Sequence, residues 1–207
     1  KSAIDTYTVS HMLAPRLNAM GRLEHALDAL RLLCTKDGVK AGLLAQKLGT
    51  TNKERQQLTI DTVTHAKELV PKTLKKIIVI SHETYNPGVI GLVAGRLVEE
   101  YWRPSIVLAI ADGFAKASAR SIPGFNIVEA IRSCSDVLVD VGGHPMAAGF
   151  TVTAKNIPVL TSRLEALAEK QIDEEMLKRV LHIDAEIPFS MATESLWQKI
   201  QMLEPFG

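Results

Sequence analysis

The sequence predicts an α/β protein, with N-terminal helices and a long connecting helix followed by a mixed-sheet domain. Three observations carry that expectation. Apolar residues recur at helical spacing over residues 1–50. A polar helix with few apolar positions spans residues 51–70 and is stopped by Pro71. From residue 71 onward, short β-branched runs alternate with helical patterns, as in a sheet covered by helices.

The chain has 207 residues, 46% hydrophobic and 23% charged, enough to build a substantial core and too apolar for disorder. Its formal net charge is +1, so contact with nucleic acid must use a local basic surface. Cys34 and Cys134 are isolated and read as core or half-buried thiols of a reducing compartment, the cytoplasm. No apolar run approaches the roughly 18 residues of a membrane span, and no signal-peptide pattern is present; no membrane association is expected. The chain begins without methionine and ends in Leu203–Gly207, which reads as an interrupted turn. Both ends suggest a piece of a longer protein.

Within residues 1–50, Leu23, Leu27, Leu30 and Cys34 form a helical stripe. Just before it lie Arg16, Asn18 and Arg22, set among small residues. Two arginines and an amide can grip a phosphate; equally, the arginines can be solvated or paired with Glu24 and Asp28. A second short helix over residues 39–48 is expected to end at Gly49. The helix of residues 51–70 has Thr50, Thr51 or Asn52 as cap, and Leu58, Val63 and Ala66 among its sparse apolar positions. A helix this polar bridges two bodies. The expected divisions are 1–50, 51–70, 71–170 and 171–207. His65 reads as solvated or capping.

Lys76–Ser81 reads as a buried strand. Asn86 caps and Pro87 opens the next helix, whose Ile90, Val93, Ala94, Leu97, Val98 and Tyr101 face the core. Gly88, Gly91 and Gly95 thin one side of it, and the amides at its start favour an anion. Pro104–Ile110 and Phe114–Ala119 read as strands joined by a type I′ turn at Asp112-Gly113. Asn126 caps a helix holding Ile127, Ala130, Ile131 and Cys134. Gly142–Phe150 reads as a surface loop between two strands, with His144 on its turn and glycines that let a ligand approach. A helix beginning near Pro158 carries Leu160, Leu164 and Leu167. Residues 169–180 are a solvated charged face, and Val180–Ile187 alternates as a strand does. His182 and Asp184 are too sparse for a metal site.

Ser118, Arg120, Asn86, Gly88 and His144 thus fall at one rim of the predicted sheet. An arginine, a hydroxyl, backbone amides and a histidine suit a phosphodiester or a terminal phosphate. The alternatives are that Arg120 pairs with Asp112 or Asp140, and that Ser118 is only a small residue in a tight strand.

The run Gly142-Gly143-His144-Pro145-Met146-Ala147-Ala148-Gly149 resembles the glycine-histidine motif of the DHHA1 domain, which accompanies the DHH phosphoesterases. Pro15–Arg22, Pro87–Arg96 and Ser118–Ile127 are similar to stretches of that family's single-strand-specific DNA exonucleases, and Leu203–Gly207 resembles their entry into an OB-fold. The resemblance implies a 5′-to-3′ exonuclease of recombination and repair, acting on single-stranded DNA. It implies Mn²⁺ or Mg²⁺ bound by a preceding DHH domain, and a helicase or single-strand-binding protein as partner of the full-length enzyme. It implies substrate contacts from Arg16, Asn18, Arg22, Asn86, Gly88, Ser118, Arg120 and Ser121. Gly142, Gly143 and His144 would lie near the scissile end, His144 in a supporting catalytic role. The sequence has no Asp-His-His triplet, so no metal is expected on this chain and it should be inactive alone. Relatives that cleave short oligonucleotides or cyclic dinucleotides usually carry a longer glycine run before the histidine. Against a tRNA-binding DHHA1 module stands the arginine-asparagine stretch of residues 15–22.

Overall fold

The computed structural model describes residues 4–204. Of the terminal stretch Leu203–Gly207, residues 205–207 lie outside the described residues. A π-helical turn, Thr8–Leu13, leads into α1 (Ala14–Leu23), α2 (Leu27–Cys34) and α3 (Gly38–Leu69).

α3 is one helix of 32 residues, about 48 Å long at the usual rise per residue. It starts earlier than the sequence suggests. Asp37 is its cap, accepting from the Val39 and Lys40 amides at 2.9 and 3.1 Å. Gly49 does not end it, and Thr50, Thr51 and Asn52 do not cap it. A glycine inside a helix costs only about 1 kcal/mol against alanine. The flanking Leu48, Thr51 and Asn52 are buried, and Leu48 packs with Met20 and Ala29 of α1 and α2. That packing carries the helix through Gly49. The stripe expected on α2 is not core: Leu30 is 55% exposed and Cys34 lies at the surface, whereas Ala29 turns inward. Cys134 is buried.

The C-terminal half of α3 meets the other part of the chain. Ala66 packs with Ile80, Tyr85 and Ile90. His65 is half-buried rather than solvated: its Nδ1 stands 3.0 Å from the Tyr85 hydroxyl, and its ring meets His82 edge-on at 4.6 Å. Val70 is already extended, as expected before Pro71.

Five strands follow: β1 (Ile78–His82), β2 (Ser105–Ala111), β3 (Phe114–Arg120), β4 (Leu138–His144) and β5 (Ala147–Thr153). Their order is β1-β2-β3-β5-β4. β1 and β2 are parallel, joined through α4 (Ile90–Tyr101), and the other pairings are antiparallel. Asp112 and Gly113 take φ of 51° and 78°, as a type I′ turn requires. α5 (Ile127–Arg132) precedes β4, while α6 (Ile157–Gln171) and α7 (Glu194–Gln201) follow β5.

Alternation along the strands separates two faces. Ile106, Leu108, Ala117, Ala119, Phe150 and Val152 face α5 and α6, packing on Ile127, Ile131, Leu160 and Leu164. Ile78, Ile80, Val107 and Ala109 face α4 and α3, packing on Ile90, Val93, Leu97 and Ala66. The second face is covered over only part of its width. Where it continues onto β5 and β4 it presents small or polar residues, and Gly149, Asp140, Gly142 and His144 stand exposed.

Three expectations are corrected here. Gly142–Phe150 is not a loop. β4 runs through His144 and β5 begins at Ala147, leaving Pro145 and Met146 as the connection. Backbone pairing of Gly142 with Gly149 and of Gly143 with Ala148 makes strand from residues of poor strand propensity. α4 begins at Ile90, not Pro87, because the Asn86 side chain accepts from the Gly88 amide at 2.7 Å and holds a turn. Val180–Ile187 is irregular and exposed, since alternation alone supplies no partner strand. No described helix is long and apolar enough to cross a membrane.

Leu164→Ala, in the core under the sheet, is expected to lower unfolding free energy by about 2–5 kcal/mol. Leu30→Ala should change it by less than about 0.5 kcal/mol. Urea denaturation of both variants separates true core from surface stripe.

Candidate nucleic-acid interface

The uncovered half of the sheet face has a regular construction. Residues two apart on a strand share a face, and register places neighbours side by side. Arg120 of β3 aligns with Ala147 of β5, and Ala147 with His144 of β4. One step along, Ser118 aligns with Gly149, and Gly149 with Gly142. A trough results, with Ser118 and Arg120 on one side, a floor of glycine and alanine, and His144 at the far edge.

A cavity of ≈ 320 Å³ lies here, lined by Arg22, Gly91, Lys116, Ser118, Arg120 and Asp140 among others. Arg120 Nη1 donates to the Ala119 carbonyl at 2.8 Å and to Ser118 Oγ at 3.2 Å. Gly91 is where α4 passes closest. A Cβ built there would lie 3.0 Å from Ser118 Oγ and 3.1 Å from Arg120 Nη2. Arg22 reaches the same cavity from α1, donating to the Gly88 carbonyl at 3.2 Å. The contact is close: a Cβ on Gly88 would meet the Arg22 carbonyl oxygen at 2.0 Å. Burial, and then the charge of Arg22, lowers the pKa of Arg120. Among the described residues no carboxylate pairs with Arg22 or Arg120, so neither Asp112 nor Asp140 neutralises Arg120. Two guanidinium groups that no carboxylate pairs, with Asp140 also on the cavity wall, can hold a phosphate.

The other expected residues are arranged differently. Asn86 and Gly88 use their polar groups locally: the Gly88 amide goes to Asn86 and its carbonyl to Arg22. They hold Arg22 rather than offer amides to a ligand. Ser121 is buried, and its hydroxyl donates to the Phe125 carbonyl at 2.7 Å; it braces a loop. Arg16 turns back onto the π-helical turn before α1 and donates to the Met12 carbonyl. Asn18 is exposed on α1 and does not line the cavity. Gly143 takes φ of 149°, and a Cβ there would sit 2.4 Å from the Ala147 carbonyl oxygen, so glycine is required for the hairpin. Gly142 and His144 are exposed on β4. Gly95, expected to thin α4 for packing, faces open space. Lys116 was missed, though its spacing of two from Ser118 and of four from Arg120 puts all three on one face of a strand.

Residues 74–170 match the family model of the DHHA1 domain. The particular proteins it resembles are the single-stranded-DNA-specific exonucleases named RecJ. It is 42% identical to that of Bacillus subtilis over 204 residues, 97% of this chain and 26% of the relative. With that of Thermus thermophilus it is 35% identical over 201 residues, 96% of this chain and 29% of the relative. The crystal structure of T. thermophilus RecJ in complex with Mn²⁺ superposes with a TM-score of 0.85 at 34% identity, covering 97% of this chain and 30% of that one. The chain therefore spans between a quarter and a third of the length of these relatives. Among the described residues no group of three or more His, Cys, Asp or Glu stands together to hold a metal ion. These residues do not fit a catalytic metal site.

Gly91→Ala should fold with stability changed by less than about 1 kcal/mol, because the side-chain ends it meets can move. It should displace Arg120 and weaken binding of inorganic phosphate about tenfold. Gly88→Ala meets backbone instead and should cost about 1–3 kcal/mol in thermal or urea unfolding.

Proposed function

We propose that this chain is the nucleic-acid-binding part of a single-stranded-DNA-specific 5′-to-3′ exonuclease of recombination and repair, working in the cytoplasm. The observation that carries the reading is that Arg22 and Arg120 line one cavity and neither forms an ion pair there among the described residues. Arg22 and Arg120 hold a backbone or terminal phosphate, and Ser118 Oγ, already an acceptor from Arg120, orients that guanidinium and donates its own proton to the phosphate. The glycine and alanine floor lets the strand lie against the sheet. His144 lies two strands from Arg120 in the same register row, roughly 10 Å across at the usual strand spacing. In this reading it supports the substrate nearer the scissile bond, with Gly142 and Gly143 giving backbone approach.

The hydrolytic chemistry of the full-length enzyme is supplied by Mn²⁺ or Mg²⁺ on a DHH domain, and no step here depends on a metal held by this chain. The likeness to the RecJ exonucleases supports single-stranded DNA as substrate. A helicase or single-strand-binding protein as partner rests on that likeness alone.

Arg120→Ala in the full-length protein is expected to weaken binding of single-stranded DNA and to reduce the slope of log K against log salt by about 0.7, the value of one phosphate contact on a single strand. An unchanged slope would remove Arg120 from the interface. The 207-residue chain alone, given Mn²⁺ and single-stranded DNA, is expected to release no nucleotides; metal-dependent digestion by it would place catalytic ligands within these residues.

A further inference from the structure

One cation of the helical layer has no part in the trough. Arg55 lies on α3, and both its Nε and its Nη2 donate to Asn52 Oδ1, at 3.2 and 3.1 Å. Asn52 is 5% exposed, so the acceptor that aims this guanidinium is itself fixed by packing. Buried amides are hydrogen-bonded as a rule; this one uses its oxygen to set the direction of an arginine.

Arg55 lines a second cavity, of ≈ 530 Å³, together with Gln56, Thr59, Lys67 and Arg96. Lys67 is paired with Glu100 and Arg96 with Glu99. Arg55 is the cation of this cavity that no carboxylate answers among the described residues. One helical turn before Arg55, α3 meets the end of α1: Thr51 Oγ1 donates to Glu24 Oε1 at 3.4 Å, two residues after Arg22. Burial, and then the Arg22 charge, lowers the pKa of Arg55, the same two causes that act on Arg120. Arg22 thus acts on both arginines, and it stands where α1 and α3 meet. Like charges gathered in partly desolvated positions without counter-charge repel one another, and a bound polyanion relieves that cost.

We propose that Arg55, aimed by Asn52, binds a second phosphate of the strand, the phosphodiester next to the phosphate held by Arg22 and Arg120. The proposal rests on reading the trough as a phosphate site. It adds a ligand class that the trough alone does not require: a strand of at least two phosphates, lying from the sheet across α1 to α3. Asn52 is a positioning residue, acting through Arg55.

The test uses the full-length protein without divalent metal and two probes, thymidine 5′-monophosphate and 5′-phosphorylated thymidine dinucleotide. Arg55→Ala is expected to weaken the dinucleotide about tenfold, in line with loss of a charged hydrogen bond, and to leave the mononucleotide within about twofold, the scatter of a neutral change. Arg120→Ala should weaken both. Asn52→Ala should follow Arg55→Ala to a smaller extent. Arg55→Lys keeps the charge but loses the two-pronged hold on Asn52, and should fall between; it also serves if removal of the whole side chain lowers the melting temperature. If Arg55→Ala and Arg55→Lys both bind the dinucleotide as the parent does, while Arg120→Ala weakens both probes, the second subsite is wrong and the trough stands. Equal weakening of both probes by Arg55→Ala also overturns it, because Arg55 then serves the first phosphate. If Arg120→Ala changes neither probe, the underlying phosphate reading falls as well.

Discussion

The hydrogen bond from Arg22 to the Gly88 carbonyl is the contact on which the interface depends. It joins the helical part of the chain to the sheet at the point where α4 is about to begin. Asn86 holds the turn that presents that carbonyl, and Gly88 has no side chain to keep α1 away. The geometry is restrictive for a reason of charge. Arg22 and Arg120 repel each other, so neither would settle over one cavity unless backbone acceptors held them. The Gly88 carbonyl serves Arg22, and the Ala119 carbonyl serves Arg120. Each arginine is thereby fixed by neutral oxygens, which leaves the positive charge uncancelled.

The sheet supplies the complementary constraint. Its buried face is conventional, with α5 and α6 packed on branched side chains. Its other face changes character between β2 and β3, from apolar residues under α4 to Lys116, Ser118 and Arg120 on β3 and then to glycine, alanine and polar groups on β5 and β4. The change needs no extra domain or long loop. It follows from a helix layer narrower than the sheet it covers, and from strands whose residues on that side are small.

The parts of this architecture legible in the sequence are those where side chains dominate the backbone. β1 and β2 are runs of isoleucine and valine, and Asp112-Gly113 has few conformations other than the hairpin it forms. Asn126 announces α5, and its side-chain Oδ1 does accept from the Glu129 amide. Legibility failed where backbone geometry decides. Gly142, Gly143, Ala147 and Ala148 carry no strand signal of their own, and only pairing with one another makes them a hairpin. Gly49 looked like a terminus because the burial of Leu48, Thr51 and Asn52 around it is a tertiary fact. Reading Asn52 as a cap also hid its relation to Arg55, three residues on and on the same helix face. Ser121 entered through the resemblance of Ser118–Ile127, but it lies just past the end of β3 and its hydroxyl turns to the Phe125 carbonyl. Of the residues expected to bind substrate, Arg22, Ser118 and Arg120 are brought together around one cavity. His144 shares their face at a distance, and Asn86 and Gly88 stand behind Arg22.

The unbroken α3 gives the molecule a fixed ruler. Its first half is keyed to the N-terminal helices through Leu48 and Thr51, its second to the sheet domain through Val63 and Ala66. A helix advances about 100° per residue. One residue inserted between Asn52 and Thr62 would swing one set of contacts about a quarter turn around the axis relative to the other. Compensation would need a local bulge or a net change close to whole turns. The length of this segment is therefore held by rotation more than by reach. Side chains along it can vary while their number cannot drift freely.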